Sequence, residues 1–245
     1  MPSETILILG GTREAADLAA RLVAANPAAR VVTSLAGRTR EPAPIASELR
    51  VGGFGGVEGL AAWMKDNRVT ALIDATHPFA EVISGNAAQA AAMTGIPLLQ
   101  LARPAWTREP GDLWTEVESL DLAAEALPTG AVALLALGRQ YLAPFAARTD
   151  CHFIVRMVDP PETPLPFAAE IVLGKPSTDP HEEAALFRRY ALTHLVCRNS
   201  GGVGAYAKIV AARGLALPVI MIGRPKISDG RAYATVDLLL AALSD

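Results

Sequence analysis

The chain reads as an α/β protein built from two Rossmann-like, doubly wound domains with mostly parallel sheets. Three observations predict this. Short apolar runs of strand length alternate with longer alanine-rich stretches of helical length, as parallel strands joined by crossover helices require. Several strand-length runs end in glycine turns or in arginine. The rhythm breaks once, at Arg103-Pro104-Ala105-Trp106 and the polar segment Thr107 to Asp112, and then resumes. The break sets domains of 1–104 and 105–245.

Taken in order, Thr5-Ile6-Leu7-Ile8-Leu9 is the first predicted strand. A Gly-Gly turn leads from it into a helix over Arg13 to Ala25, stopped by Asn26-Pro27. Strands are predicted at Arg30 to Ser34, Val69 to Asp74 and Pro97 to Leu101, with helices at Leu60 to Asp66 and Pro78 to Thr94. The glycine cluster Gly52-Gly53-Phe54-Gly55-Gly56 precedes the first of those helices. Beyond the break, strands are predicted near Leu113–Val117, Ala131–Leu137, His152–Val158, Thr193–Cys197 and Pro218–Ile222. Helices are predicted near Leu120–Ala126, Pro144–Arg148, Pro180–Tyr190 and Ala205–Arg213. The proline-rich stretch Asp159 to Pro166 reads as a stiff surface loop, because proline has no N–H for a sheet ladder.

Composition narrows the function. In 245 residues, 51% are hydrophobic and 19% charged, enough for packed cores and too apolar for a disordered chain. The net charge of −3 disfavours a nucleic-acid partner, which a basic surface would attract. Cys151 and Cys197, the two cysteines, border or lie in apolar runs and read as reduced thiols. No metal-ligand spacing occurs, and no apolar run approaches the roughly 20 residues of a membrane span. The N-terminus has no signal-like segment, so a cytoplasmic location is expected.

In an open parallel sheet, ligands bind beyond the carboxyl ends of the strands. The first such turn is Leu9-Gly10-Gly11-Thr12-Arg13-Glu14. Glycines let backbone approach a pyrophosphate, and the next helix offers free N–H groups. The alternative is a plain tight turn. After the second strand stands Ser34-Leu35-Ala36-Gly37-Arg38. NAD sites place a carboxylate there for the ribose hydroxyl, whereas a hydroxyl and a guanidinium suit a 2′-phosphate and favour NADPH. Asp74-Ala75-Thr76-His77-Pro78 follows a further strand, with Pro78 suited to the first helical position and Thr76 or His77 to the cap. His77 there is either a proton shuttle or phosphate donor, or only a helix cap. Strands also run out into Arg103, Arg139, Arg156, Arg198 and Arg224, a row that would steer a polyanion unless each arginine pairs locally. Arg198-Asn199-Ser200-Gly201-Gly202 forms a second glycine turn before a helix that carries Tyr206 and Lys208. Tyr and Lys two apart do not share a helix face, so a short-chain dehydrogenase dyad is rejected.

Together these motifs, with Gly138-Arg139-Gln140 and Arg103-Pro104-Ala105-Trp106, resemble the precorrin-6A reductase family of cobalamin biosynthesis over nearly the whole chain. The resemblance implies NADPH-dependent reduction of one ring double bond, in a two-domain fold with cofactor and substrate in the cleft. The metal-free substrate and its cobalt-bearing counterpart are both compatible with the motifs. The implied cofactor contacts are Gly10, Gly11, Thr12, Arg13, Ser34, Leu35, Gly37, Arg38, Gly53, Phe54, Ala75, Thr76 and His77. Arg139, Arg198, Asn199, Ser200, Gly201, Gly202 and Lys208 are the implied contacts to a polycarboxylate tetrapyrrole. Candidate proton donors are His77 and Tyr206, with solvent or the macrocycle as alternatives. A monomer or small homo-oligomer is expected. A different NADPH reductase and a non-catalytic NADP(H) sensor are the competing readings.

Overall fold

A computed structural model describes residues 4–37, 44–225 and 231–244. The chain runs β1 (Thr5–Leu9), α1 (Arg13–Ala25), β2 (Arg30–Leu35), β3 (Glu48–Val51), α2 (Val57–Asp66), β4 (Ala71–Asp74), α3 (Glu81–Thr94) and β5 (Leu98–Leu101). It continues with β6 (Trp114–Val117), α4 (Leu120–Glu125), β7 (Val132–Ala136), two short 3-10 turns at Arg139–Tyr141 and Ala143–Ala147, and β8 (His152–Met157). Then come β9 (Ala169–Leu173), α5 (Pro180–Arg189), β10 (His194–Arg198), α6 (Ala207–Gly214), β11 (Val219–Ile222), β12 (Arg231–Tyr233) and α7 (Val236–Ser244). No described helix is long and apolar enough to cross a membrane.

The chain divides into two compact units, Met1–Pro104 with Pro225–Asp245, and Ala105–Arg224. Each carries one six-stranded sheet, ordered β12-β5-β4-β1-β2-β3 in the first and β6-β11-β10-β7-β8-β9 in the second. Every described strand pair is parallel. In the first unit, all five residues of β1 and all four of β4 are buried, so both faces of the central strands are covered. One face packs α1 and α7 against Ile6, Ile8 and Ile73. The other packs α2 and α3 against Leu7, Leu9 and Leu72. In the second unit α5 and α6 cover Leu134, Ile154, Leu195 and Met221, with Trp106 and Trp114 in the same cluster.

Both sheets follow the doubly wound order 3-2-1-4-5-6, but in neither is the sixth place filled by the strand that comes next in sequence. The segment that opens the second unit, β6, takes the sixth position beside β11. The tail then returns to the first unit, where β12 pairs with β5 through Arg231↔Leu99 and Tyr233↔Leu101. The expected boundary of 105–245 therefore differs from the observed division, because β12 closes the open edge of β5 and α7 packs in the first unit rather than extending the second.

Other differences have local causes. The strands β3, β9 and β12 are absent from the sequence reading. They are edge strands with mostly exposed or half-exposed residues, so they lack an apolar run. Helix α3 begins at Glu81 with Ala80 as its cap, not at Pro78 with Thr76 or His77 capping. Asp74 Oδ1 instead accepts from Thr76 N and Oγ1, and His77 O accepts from Ala80 N at 2.8 Å, which closes a turn before the helix can start. The helix expected at Pro144–Arg148 is a 3-10 turn.

The tail's packing is testable. Leu239 of α7 is fully buried in the cluster that holds Ile6, Ile8 and Leu18. Leu239→Ala should cost roughly 2–5 kcal/mol of first-unit stability. Hydrogen exchange should show protection lost in β1, β4 and β5. Loss confined to the second unit would contradict the exchange of end strands.

Candidate functional site

Strands β1 and β4 are neighbours in the sheet, yet α1 and α3 leave to opposite faces. The loops that follow them must diverge, and this is where open α/β sheets take ligands. Gly10–Thr12 forms one wall and Ala75–His77 the other. Thr12 ties them: its hydroxyl donates to Ala75 O at 2.8 Å and accepts from Ala15 N at 3.1 Å as the α1 cap. Gly11 has φ 112, and no atom lies within 4 Å of where a Cβ would stand. The loop is thus open above the first turn of α1, with Arg13 exposed at the first helical position. These features fit a dinucleotide pyrophosphate at a helix N-terminus.

His77 is half-buried, and its Nδ1 accepts from Phe79 N at 3.3 Å. That bond places the neutral ring's proton on Nε2. Further along the sheet edge, Gly10 N donates to Ser34 O and Gly52 N donates to Leu35 O, each at 2.9 Å, so the loops after β1, β2 and β3 are joined. Gly37 is exposed. Arg38 lies outside the described residues.

A residue absent from the sequence reading stands among these loops. Arg50, in β3, pairs in register with Ser34. Its guanidinium donates to Ser34 Oγ at 3.3 Å, to Gly53 O at 2.8 Å and to Gly52 O, and lies 3.6 Å from the centre of the Phe54 ring. Burial pulls its pKa below the ordinary arginine value. The sequence signal was its position two residues before the glycine cluster.

In the second unit the corresponding divergence lies between β7 and β10. Arg139 follows β7, is exposed, and borders a pocket of about 270 Å³ formed with Pro161–Pro166. Arg198 ends β10 with its guanidinium 4.3 Å from the centre of the Tyr141 ring. The turn that follows is held from inside the unit. Asn199 clamps the backbone of Trp106, accepting from its N at 2.8 Å and donating to its O at 2.9 Å. Trp106 Nε1 donates to Gly202 O at 2.8 Å. Ser200 is buried, and its hydroxyl turns back to Arg198 O. Gly201 stands between these anchors.

Tyr206 caps α6 rather than lying within it. Its hydroxyl donates to Glu109 Oε1 and accepts from Arg213 Nη2, both at 2.9 Å. Arg213 also binds the buried Asp112. The phenol is thus engaged in an ion-pair cluster, and burial raises its pKa. Lys208, an implied substrate contact, is 4% exposed, with its ammonium 5.1 Å from the Trp106 ring centre.

The arginine row sorts by partner. Arg103 pairs with Glu14 at 2.6 Å and the buried Arg156 with Glu183 at 2.8 Å, while Arg224 Nε donates to Asn199 O. These three serve the fold.

Comparison with known proteins bears on what these edges do. The family model for precorrin-6x reductase CbiJ/CobK matches residues 5–244. The chain belongs to that family. It is 43% identical to the precorrin-6A reductase of Rhodobacter capsulatus over 98% of this chain and 96% of that one. With the precorrin-6A reductase of Rhodococcus erythropolis it shares 44% identity over 98% of this chain and 96% of the relative. A solved structure of CobK precorrin-6A reductase superimposes with a TM-score of 0.91 at 40% identity, covering 99% of this chain and 97% of the other.

Lys208 provides a pH test. Loss of hydration lowers its pKa most, and the charges of Arg156 and Arg198 add to that, against Cys197 and Glu183. A folded-state pKa below the unfolded one means that the unfolded chain binds the proton more tightly. The charged lysine therefore costs stability at pH 7, and the cost fades as pH rises toward 10.5. Lys208→Met should raise resistance to denaturant at pH 7, with the gain shrinking as pH rises toward 10.5. A gain independent of pH would assign the effect to packing instead.

Proposed function

We propose that the first unit binds NADPH, that the second unit holds the carboxylates of precorrin-6A, and that the chain reduces a ring carbon–carbon double bond of that substrate in cobalamin biosynthesis. The carrying observation is that each unit opens a crevice at its own switch point, one lined by an open glycine loop and the other flanked by Arg139 and Arg198. The reaction takes place in the cytoplasm.

The nicotinamide supplies the hydride, and the protein supplies binding, orientation and a proton. Thr12 holds the two walls of the first crevice at a fixed spacing, so the pyrophosphate meets the free N–H groups at the start of α1. Ser34 and Arg38 hold the adenosine ribose and its phosphate. Arg139 and Arg198 take substrate carboxylates, for which the planar guanidinium is suited. Lys208 contributes positive charge from beneath the second turn, and the backbone of Ser200 to Gly202 contributes shape. Between the candidate proton donors, geometry favours His77, which stands in the wall that Thr12 ties to the glycine loop, whereas the Tyr206 hydroxyl is spent on Glu109.

The purified protein should oxidise NADPH only when given precorrin-6A, with NADH much poorer. NADPH binding without turnover would favour a non-catalytic sensor. His77→Ala should lower kcat about 100-fold or more while NADPH affinity changes little. Tyr206→Phe should leave kcat near the parent value and reduce stability instead. Full activity in His77→Ala would move the proton source to solvent or to the macrocycle.

A further inference from the structure

We propose that Arg50 is a second residue by which this chain distinguishes NADPH from NADH, its guanidinium binding the phosphate on the adenosine ribose. The inference rests on the NADPH reading above and adds a determinant that the turn after β2 does not contain.

Position is the first ground. Ser34 ends the buried part of β2, and Arg50 lies beside it in register on β3. The carboxyl end of the second strand is where doubly wound sheets meet the adenosine ribose. The Arg50 side chain reaches over that end, since it bonds Ser34 Oγ and the carbonyls of Gly52 and Gly53.

Charge is the second ground. Arg21, Arg30, Arg103, Arg148, Arg156 and Arg213 each bond a carboxylate. Every described partner of Arg50 is neutral: one hydroxyl, two carbonyls and the aromatic rings of Phe54 and Trp63. Glu48, two residues earlier on the same strand, is occupied by Arg30 through bonds of 2.8 Å. A partly buried cation without an anion lowers stability, and a ligand anion would offset that. Three of its N–H groups are used in these bonds, which leaves two of the five guanidinium donors for a phosphate.

Rigidity is the third. The guanidinium rests on Phe54, and Phe54 packs edge-on against Trp63 with ring centres 5.7 Å apart. The Phe54 carbonyl also fills the space above Gly59 of α2, where a Cβ would stand 1.8 Å from it. The side chain is held ready before any ligand arrives, so little ordering entropy is lost on binding.

The test is calorimetric binding of 2′,5′-ADP, 5′-AMP, NADPH and NADH to the full chain and to the variants Arg50→Met, Arg50→Lys and Arg38→Ala. Arg50→Met should weaken 2′,5′-ADP and NADPH about 10- to 100-fold, as loss of charged hydrogen bonds does. Binding of 5′-AMP and NADH should change by less than about threefold, since neither has the 2′-phosphate. Arg50→Lys keeps the charge and should recover part of the loss, which separates phosphate binding from collapse of the loop. Equal weakening of all four ligands by Arg50→Met and Arg50→Lys would overturn the proposal. So would a preference abolished by Arg38→Ala and retained in Arg50→Met. If the parent protein binds 2′,5′-ADP no better than 5′-AMP, the NADPH reading itself fails, and the role of Arg50 fails with it.

Discussion

Strands β1 and β4 lie side by side while the helices after them cover opposite faces of the sheet, and the rest of the first unit depends on that divergence. It follows from burying both faces of a parallel sheet, since helices must then be shared between the faces. The divergence opens a crevice that no side chain has to create. Thr12 keeps it from drifting, because one hydroxyl serves the cap of α1 and the carbonyl of Ala75 at once. The second unit repeats the arrangement between β7 and β10 with different residues at its rim. One layout thus provides an open glycine turn in one unit and a rim with Arg139 and Arg198 in the other.

The exchange of end strands extends the same economy to the sheet edges. An unpaired strand edge invites association with other chains. Here β12 covers β5 in the first sheet and β6 covers β11 in the second. The chain crosses between the units twice, so the first unit is assembled from two separate stretches of sequence while the second is continuous. Stability of the first unit therefore depends on the last residues of the chain, through α7 and its contacts with α1.

Electrostatics separates the arginines that build the protein from those available to ligands. A guanidinium that already has a carboxylate has little to offer a second anion. By that measure Arg103 and Arg156 are structural, since Glu14 and Glu183 hold them. Arg50 stands apart because its partners are neutral, and Arg139 because it is exposed beside a pocket. Trp106 acts at the other end of this scale. It carries no charge, yet its backbone and indole position the Asn199–Gly202 turn and bring the buried Lys208 against an aromatic face.

Periodicity and turn chemistry were enough to read the α/β class, the buried central strands and the first break at residue 104, because these are local consequences of apolar runs and of Gly and Pro. The glycine loop at Gly10–Thr12 and the turns at Ala75–His77 and Arg198–Gly202 were legible for the same reason. Tertiary structure decided what depends on pairing between distant segments. The edge strands β3, β9 and β12 take their shape from a neighbour rather than from their own pattern, so their sequences did not announce them. The tail joined the first sheet because β5 had an open edge, a fact that no stretch after residue 224 contains. Which arginines are free was equally invisible: Arg156 looked like Arg139 until Glu183 came to lie beside it. Arg50 entered the candidate site only because β3 set it next to Ser34. A sequence states which side chains carry charge, but the fold decides which of those charges already have a partner.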